Sequence, residues 1–531
     1  MEQDPQLQAE TWEALRIACQ QPALIRCPKL LLTVAGTCKP LRQAAQQSLQ
    51  CSGRHMDVVR PLNVPLPRLR SFAQWLPKTA ALVKSLCTIA QNPAPERVEG
   101  LPWALHAEAA MLLLQQALQL AAAPAAAAGA AAAGSASAVA AAVAPVVLLQ
   151  QQQQQQQQQG LRLDSFSGNW PGTPELLDAL PAHSLTQLQL DLGCPSHCAL
   201  TRYEADGTAA SAALARFSSL QHLTVANTRY ACDNPATCLA GVAQLTQVTY
   251  LDLAACTDHR WVGAPYGPPE LPELRAVLPS LSQLRVLRLP AGAGVWPALD
   301  FSHMTQLQEL TNADCALGDG NFFHEVQFPA QLRRLDFGAA AGMWAQLPQL
   351  RELTVGNEEV YVSREQWDAI LTGLAAASSL TKLDLRLILR HRTEHDGQVQ
   401  VRVEAAEACS ALARLTSLKA LRFHSILVPG DARELSALTG LTRLVLAGLG
   451  DGVGDAAAAA LARSCCQLRH LDLSCCNVDS VACLAEIGRL TQLTGLGLHG
   501  NAVIAQQGLI QRIGLPQLQL LGVDRQIDMT G

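Results

Sequence analysis

The sequence predicts an α/β solenoid: a curved horseshoe with short parallel strands on its concave face and helices on its convex face, preceded by a short helical N-terminal region. Three observations predict it. An LxxLxL-like motif recurs in one frame thirteen times, starting at Leu185, Leu220, Val248, Leu284, Leu307, Leu332, Leu350, Leu380, Leu418, Leu441, Leu468, Leu493 and Leu518, with Asn312, Phe337 and Phe423 in the third position of the copies at Leu307, Leu332 and Leu418. Successive starts from Leu418 onward are separated by 23, 27, 25 and 25 residues, the period of a stacked supersecondary unit. Helix-competent runs fill the intervals, as in "DAAAAALARSCCQLRHLDL", where Asp455 is placed to cap an Ala/Leu helix leading into Leu468, Leu471 and Leu473. One such unit cannot bury its own leucines. Stacked units share a continuous interior, so stability becomes a sum over neighbouring interfaces.

Taken in order, residues 1–60 hold no clear repeat and are expected to be helical. Residues 61–120 hold a first repeat-like unit: "LPRLRSFAQWLPKTAALVKSLCTI" predicts a helix and then a strand with Val83, Leu86 and Thr88 in frame, followed by a helical run near 105–121. The next frame match is Leu161, Leu163 and Phe166. Between them, residues 121–160 are an Ala-rich tract followed by ten glutamines, Gln150 to Gln159. This stretch is expected to be an insertion in one inter-repeat loop, because closure cost grows only logarithmically with loop length. The solenoid proper is expected over 161–531.

The Ala-rich tract is uncharged and long enough to span a bilayer. Pro124, Gly129, Gly134 and Pro145 interrupt it, alanine is barely favourable in lipid, and glutamine follows where an interfacial anchor would stand. No membrane association is therefore expected. A net charge of -5 supplies no field for a phosphate backbone, which removes nucleic acid from the expected partners. Charged residues are only 16% of the chain and aromatics 4%, so the 49% apolar content is carried by aliphatic side chains. "MEQDPQLQAE" does not have the basic and apolar regions of a secretory leader, which points to the cytoplasm. Seventeen cysteines, an odd number with two adjacent pairs, then fit small buried apolar residues better than a disulfide framework.

The chain resembles the leucine-rich-repeat superfamily over roughly residues 161 to 531, in particular its ribonuclease-inhibitor-like and cysteine-containing types. Cys256, Cys315, Cys476 and Asn501 occupy the ninth motif position, where the resemblance implies a side chain bonding the turn backbone. Thr228, Gly292 and Ile426 depart from it. Upstream, "LLLTVAGTCKPLRQAAQQ" looks like the latter half of an F-box. Val34, Cys38, Lys39 and Arg42 match that pattern, which implies docking to an adaptor of cullin ubiquitin ligases, whereas Leu41 stands where a Trp is usual. The same stretch also fits a helical cap over the first repeat. Ala and Gln tracts within such repeats resemble green-algal proteins often placed in the cytoskeleton or cilium axoneme, an alternative to a free cytoplasmic location.

No metal, cofactor or catalytic residue is expected. "HRTEH", His391 to His395, matches the HxxEH pattern of inverted zinc peptidases, which need both histidines on one helix face. Here Leu383 to Leu389 alternate before it, Val399 to Val403 alternate after it, and Asp396-Gly397 is a hairpin turn, so the motif falls at a hairpin tip. Cys194, His197 and Cys198, with Cys232 and Cys238, lack the two-residue knuckle spacing of zinc sites.

The remaining candidate site is the concave face, where the residues flanking each central leucine point away from the core. Tyr250, Asp252, Arg288, Arg334, Asp336, Lys382, Asp384, Arg422, Arg443, His470 and Asp472 then form a mixed, charged surface suited to protein partners. The expected function is protein recognition, as a scaffold or as a substrate-selecting subunit of a ubiquitin ligase.

Overall fold

The computed structural model describes residues 56–61, 64–80, 83–89, 97–98, 101–122, 161–168, 174–191, 207–226, 240–254, 276–289, 300–312, 327–336, 344, 346–356, 361–362, 364–391, 401–402, 408–424, 427, 429–502 and 515–522. Two compact units emerge: Met1–Val248 with Ala276–Ser280, and Thr249–Arg275 with Leu281–Gly531.

In the first unit, β1 (Met56–Pro61) pairs in parallel with β2 (Val83–Ile89), then β5 (Ser165–Gly168), β6 (Gln187–Asp191) and β7 (His222–Ala226) follow in parallel. A two-residue antiparallel pair, β3 (Arg97–Val98) and β4 (Leu101–Pro102), stands apart. Leu86, Phe166, Leu188 and Leu223 occupy one register row, each at most 2% exposed. The frame in β5 is thus Leu163, Phe166 and Gly168, one step later than expected. Phe166 explains the glycine, since a Cβ at Gly168 would lie 3.0 Å from Thr88 Oγ1 and 3.2 Å from the Phe166 ring. The strand stack also starts inside the segment expected to be helical, because the β-branched "MDVVRP" pairs along its whole length with β2.

The expected helices form as α1 (Leu66–Thr79) and α2 (Trp103–Ala122), followed by α3 (Pro174–Ala179) and α4 (Gly207–Leu214). Helical spacing turns Ala110, Leu114, Ala117, Leu118 and Ala121 of α2 inward. The Leu161 N–H donates to Ala121 O at 2.8 Å, so the two ends of the Ala/Gln stretch meet at the end of α2, and the strands flanking it, β2 and β5, are direct neighbours. The stretch itself, residues 123–160, lies outside the described residues. No described helix is long and apolar enough to cross a membrane.

In the second unit the parallel order is β8 (Tyr250–Asp252), β9 (Val286–Leu289), β10 (Glu309–Asn312), β11 (Arg334–Asp336), β12 (Glu352–Val355), β14 (Lys382–Arg386), β17 (Ala420–His424), β18 (Arg443–Val445), β19 (His470–Asp472), β20 (Gly495–Gly497) and β21 (Leu520–Gly522). Leu251, Leu287, Leu310, Leu335, Leu353, Leu383, Leu421, Leu444, Leu471 and Leu496 fall in one register row, each at most 1% exposed. Burying each stabilises the stack by about 1.5–3 kcal/mol relative to exposure. Helices α5 (Arg364–Ala376), α6 (Ala408–Ala413), α7 (Gly454–Ser464) and α8 (Val481–Ile487) lie between the strands in sequence. Trp367 of α5 is fully buried near the Phe423 ring of β17, their centroids 6.4 Å apart.

Two expectations need correction. Asp455 does not cap α7, whose N-cap is Val453. Asp455 lies in the first turn, and its Oδ1 accepts the Asp479 and Ser480 N–H groups at 3.0 and 2.9 Å, tying one coil to the next. The run from Leu383 to Leu389 is not one strand. It breaks at Leu387, after which β15 (Ile388–His391) pairs in parallel with β13 (Tyr361–Val362) and antiparallel with β16 (Val401–Arg402). His391 closes β15 opposite Val401, so the flanks of the expected hairpin are present, and residues 392–400 lie outside the described residues.

Candidate protein-binding face

Strand register places the second unit's candidate residues in two rows on the side of the sheet away from the leucines. One row contains Tyr250, Glu309, Arg334, Glu352, Lys382, Arg443 and His470; the other contains Asp252, Arg288, Asp336, Asp384, Arg422 and Asp472. The period-two alternation along each strand sets this side, and parallel stacking aligns successive coils.

The first row is a ladder of alternating charge. Arg334 lies 3.9 Å from Glu309 on one side and 3.8 Å from Glu352 on the other, and Lys382 lies 3.7 Å from Glu352. All four side chains are roughly two-fifths exposed or more, so each pair adds only about 0–1 kcal/mol to stability. At one end, Tyr250 donates its O–H to Asp252 Oδ2 at 3.0 Å. The Arg288 guanidinium meets the same oxygen at 3.3 Å and sits 5.6 Å above the Tyr250 ring. Burial, then the bond to Asp252, pushes the Tyr250 phenol above its ordinary range. In the second row Arg386 grips Asp384 with two bonds of 2.9 and 2.7 Å. Arg386 was missing from the candidates, although its position two residues after Asp384 on the same strand puts it on the same side.

Asp472 departs from the expectation. It is 2% exposed, and its Oδ1 accepts the Ser474 N–H at 2.9 Å and the Ser474 O–H at 2.6 Å. The cause lies one strand further on. A Cβ at Gly497 would stand 2.4 Å from Asp472 Oδ1, and one at Gly495 would stand 2.6 Å from His470 Nδ1. Two glycines thus let His470 and Asp472 lie down over β20, which removes Asp472 from the accessible face. Burial, followed by repulsion from Arg443 and Arg469, pushes the His470 pKa down.

The turns behind this face decide the fold type. Asn501 is 6% exposed; its Oδ1 accepts the Cys476 and Val478 N–H groups at 3.0 Å, and its Nδ2 donates to Leu473 O and Leu498 O at 2.8 Å. One coil earlier Cys476 holds the same position, donating its thiol to Leu446 O at 2.9 Å; burial pushes that thiol up to about 12 and keeps it protonated. The chain has the leucine-rich-repeat fold. Cys256 and Cys315, expected in the same role, lie outside the described residues, as do the F-box-like Val34, Cys38, Lys39 and Arg42 and the loop thiols Cys194, Cys198, Cys232 and Cys238.

No family profile matches this leucine-rich-repeat chain, and no curated protein matches it in sequence. Similar solved structures include an internalin, InlF, from Listeria monocytogenes, 16% identical, with 59% of this chain over 76% of that one and a TM-score of 0.36. A Leptospira interrogans LRR protein overlaps at 14% identity, 68% of this chain, 72% of that one and a TM-score of 0.31. TLR13 in its ssRNA13 complex overlaps at 15% identity, 64% of this chain, 47% of that one and a TM-score of 0.32. At these TM-scores the fold rests on the strand register and turn bonds of the repeats themselves.

Proposed function

We propose that this leucine-rich-repeat chain is a protein-interaction scaffold without catalysis of its own, holding its partner across the two polar rows of the Thr249–Gly531 unit. The charge ladder Glu309–Arg334–Glu352–Lys382 carries this reading. Its ion pairs add little to stability, yet they sit side by side on rigid strands. A partner with charges of the complementary order can exchange them, which favours orientation and selectivity over raw affinity. The test compares partners co-purified with the full chain and with the Arg334→Glu/Lys382→Glu variant, after both show the same unfolding midpoint. Loss of a specific partner from the variant supports the reading; an unchanged partner set overturns it.

The more specific form is a substrate-selecting ligase subunit, supported by the F-box-like Val34, Cys38, Lys39 and Arg42 in sequence. Co-purification of a cullin-ligase adaptor, lost on Arg42→Glu, is its expected outcome. Recovery of axonemal components instead would favour the ciliary scaffold.

A further inference from the structure

Helix α2 buries one face in the first unit and leaves another uncovered. Five large apolar side chains stand exposed among the described residues, and three of them, Leu105, Leu112 and Leu120, are on this helix, at 56%, 53% and 66%. Helical spacing puts them on one stripe, with half-buried Ala109 and Leu113 and exposed Gln116 filling the steps between. At a rise of about 1.5 Å per residue the stripe runs for about 22 Å. Packing inside the unit does not require these leucines, because Ala110, Leu114, Ala117, Leu118 and Ala121 already fill the inner face.

The order of residues along the stripe is alike from both ends. Leu105 and Leu120 lie equally far from the midpoint between Leu112 and Leu113, and so do Ala109 and Gln116. Such a surface complements itself across a two-fold axis through the midpoint, which is what an isologous dimer requires. An antiparallel second copy then sets its Leu120 opposite Leu105, its Leu113 opposite Leu112 and its Gln116 opposite Ala109. Charge does not oppose this pairing. Glu108, at the margin of the stripe, is the only acidic residue of the helix, which contains no lysine or arginine, and the two-fold separates the two copies of Glu108 along the seam. Each helix N-terminus also meets the C-terminus of the other, the favourable order for their dipoles. A membrane surface fits less well, because an interfacial helix carries lysine or arginine beside its apolar face and α2 has neither.

We propose that α2 is the interface of a homodimer, in which the Leu105, Leu112 and Leu120 stripe packs antiparallel against the same stripe of a second copy. The stripe belongs to the first unit and the charge ladder to the second, so this interface stands or falls separately from the recognition face. One helix pair is at the small end of interface sizes, so the dimer is expected to be reversible, with a dissociation constant on the order of micromolar.

Sedimentation velocity of the full chain from about 1 to about 100 μM should show a concentration-dependent passage from monomer to dimer. Leu112→Lys changes both sides of the two-fold and should weaken dimerisation about a hundred-fold, about ten-fold per copy. Leu105→Glu and Leu120→Lys should each weaken it too. The chain carrying both should recover most of the dimer, because antiparallel stripes bring opposite charges together at each end, whereas parallel stripes bring like charges together. At concentrations where the parent chain is monomeric, all four variants should keep its urea midpoint, since the replaced side chains face solvent. Arg334→Glu/Lys382→Glu, which tests the recognition face, should leave the dimer unchanged. A parent chain that stays monomeric throughout overturns the proposal, whatever else covers the stripe, as does a dimer that Leu112→Lys leaves intact. A double variant without recovery overturns the antiparallel pairing on which the proposal rests.

Discussion

Replacing Asn501 with alanine is expected to destabilise the C-terminal coils by about 3 kcal/mol. Four bonds of 2.8–3.0 Å disappear together, and the residue is 6% exposed. The Cys476 and Val478 N–H groups lose the acceptor they share, and leaving each buried without a partner costs about 1–3 kcal/mol. The two carbonyls lose less, because Leu498 O keeps the Asn501 N–H at 3.4 Å and a carbonyl tolerates partial satisfaction. The lower half of the N–H range plus a small carbonyl contribution gives the figure stated. Urea unfolding measures the total, and amide hydrogen exchange resolves its location, since protection should fall first at Cys476 and Val478. Asn501→Cys should recover part of the loss, because Cys476 performs this role one coil earlier through a single donor. A loss below about 1 kcal/mol with unchanged protection at those two amides would refute the reasoning.

Other consequences are as direct. Gly497→Ala should cost about 1–3 kcal/mol by overpacking, since its Cβ would stand 2.4 Å from Asp472 Oδ1. Adding Asp472→Ala should make the pair less than additive in urea unfolding. The Tyr250 phenol, with its pKa raised above 10, favours its protonated form in the folded state. Its contribution is therefore fully present below pH 10 and is lost as pH rises through the folded value. Asp252→Asn should lower the pH at which ultraviolet absorbance reports ionisation of this tyrosine. Arg334→Ala, despite breaking two ion pairs, should change the unfolding free energy by only about 0–1 kcal/mol, and a larger loss would show that the ladder is a structural element.

What could be read in the sequence was whatever depends on short-range period. The LxxLxL frame set which leucines face inward, and the same alternation named Tyr250, Arg334 and Lys382 as outward. The ninth position of the motif marked Cys476 and Asn501, and the resemblance to leucine-rich repeats implied their turn-bonding role, which depends on a fixed offset from the strand. Asp455 was misjudged for the complementary reason: its position before a helix suggested a cap, yet its partners are Asp479 and Ser480 in the next coil.

Tertiary structure decided everything that depends on which residues of different coils stand side by side. Intervals between motifs vary, so the Glu309–Arg334–Glu352–Lys382 ladder follows only from strand register. Asp472 looks like Asp252, Asp336 and Asp384 in its own motif, but Gly497, 25 residues further on, leaves the room in which it lies buried over the next strand. A cleft lined by Arg422, Val445, Ser474 and His499 gathers residues from four coils and has no local signature. Local side-chain period determines which way a residue points; only packing between coils determines what it meets there.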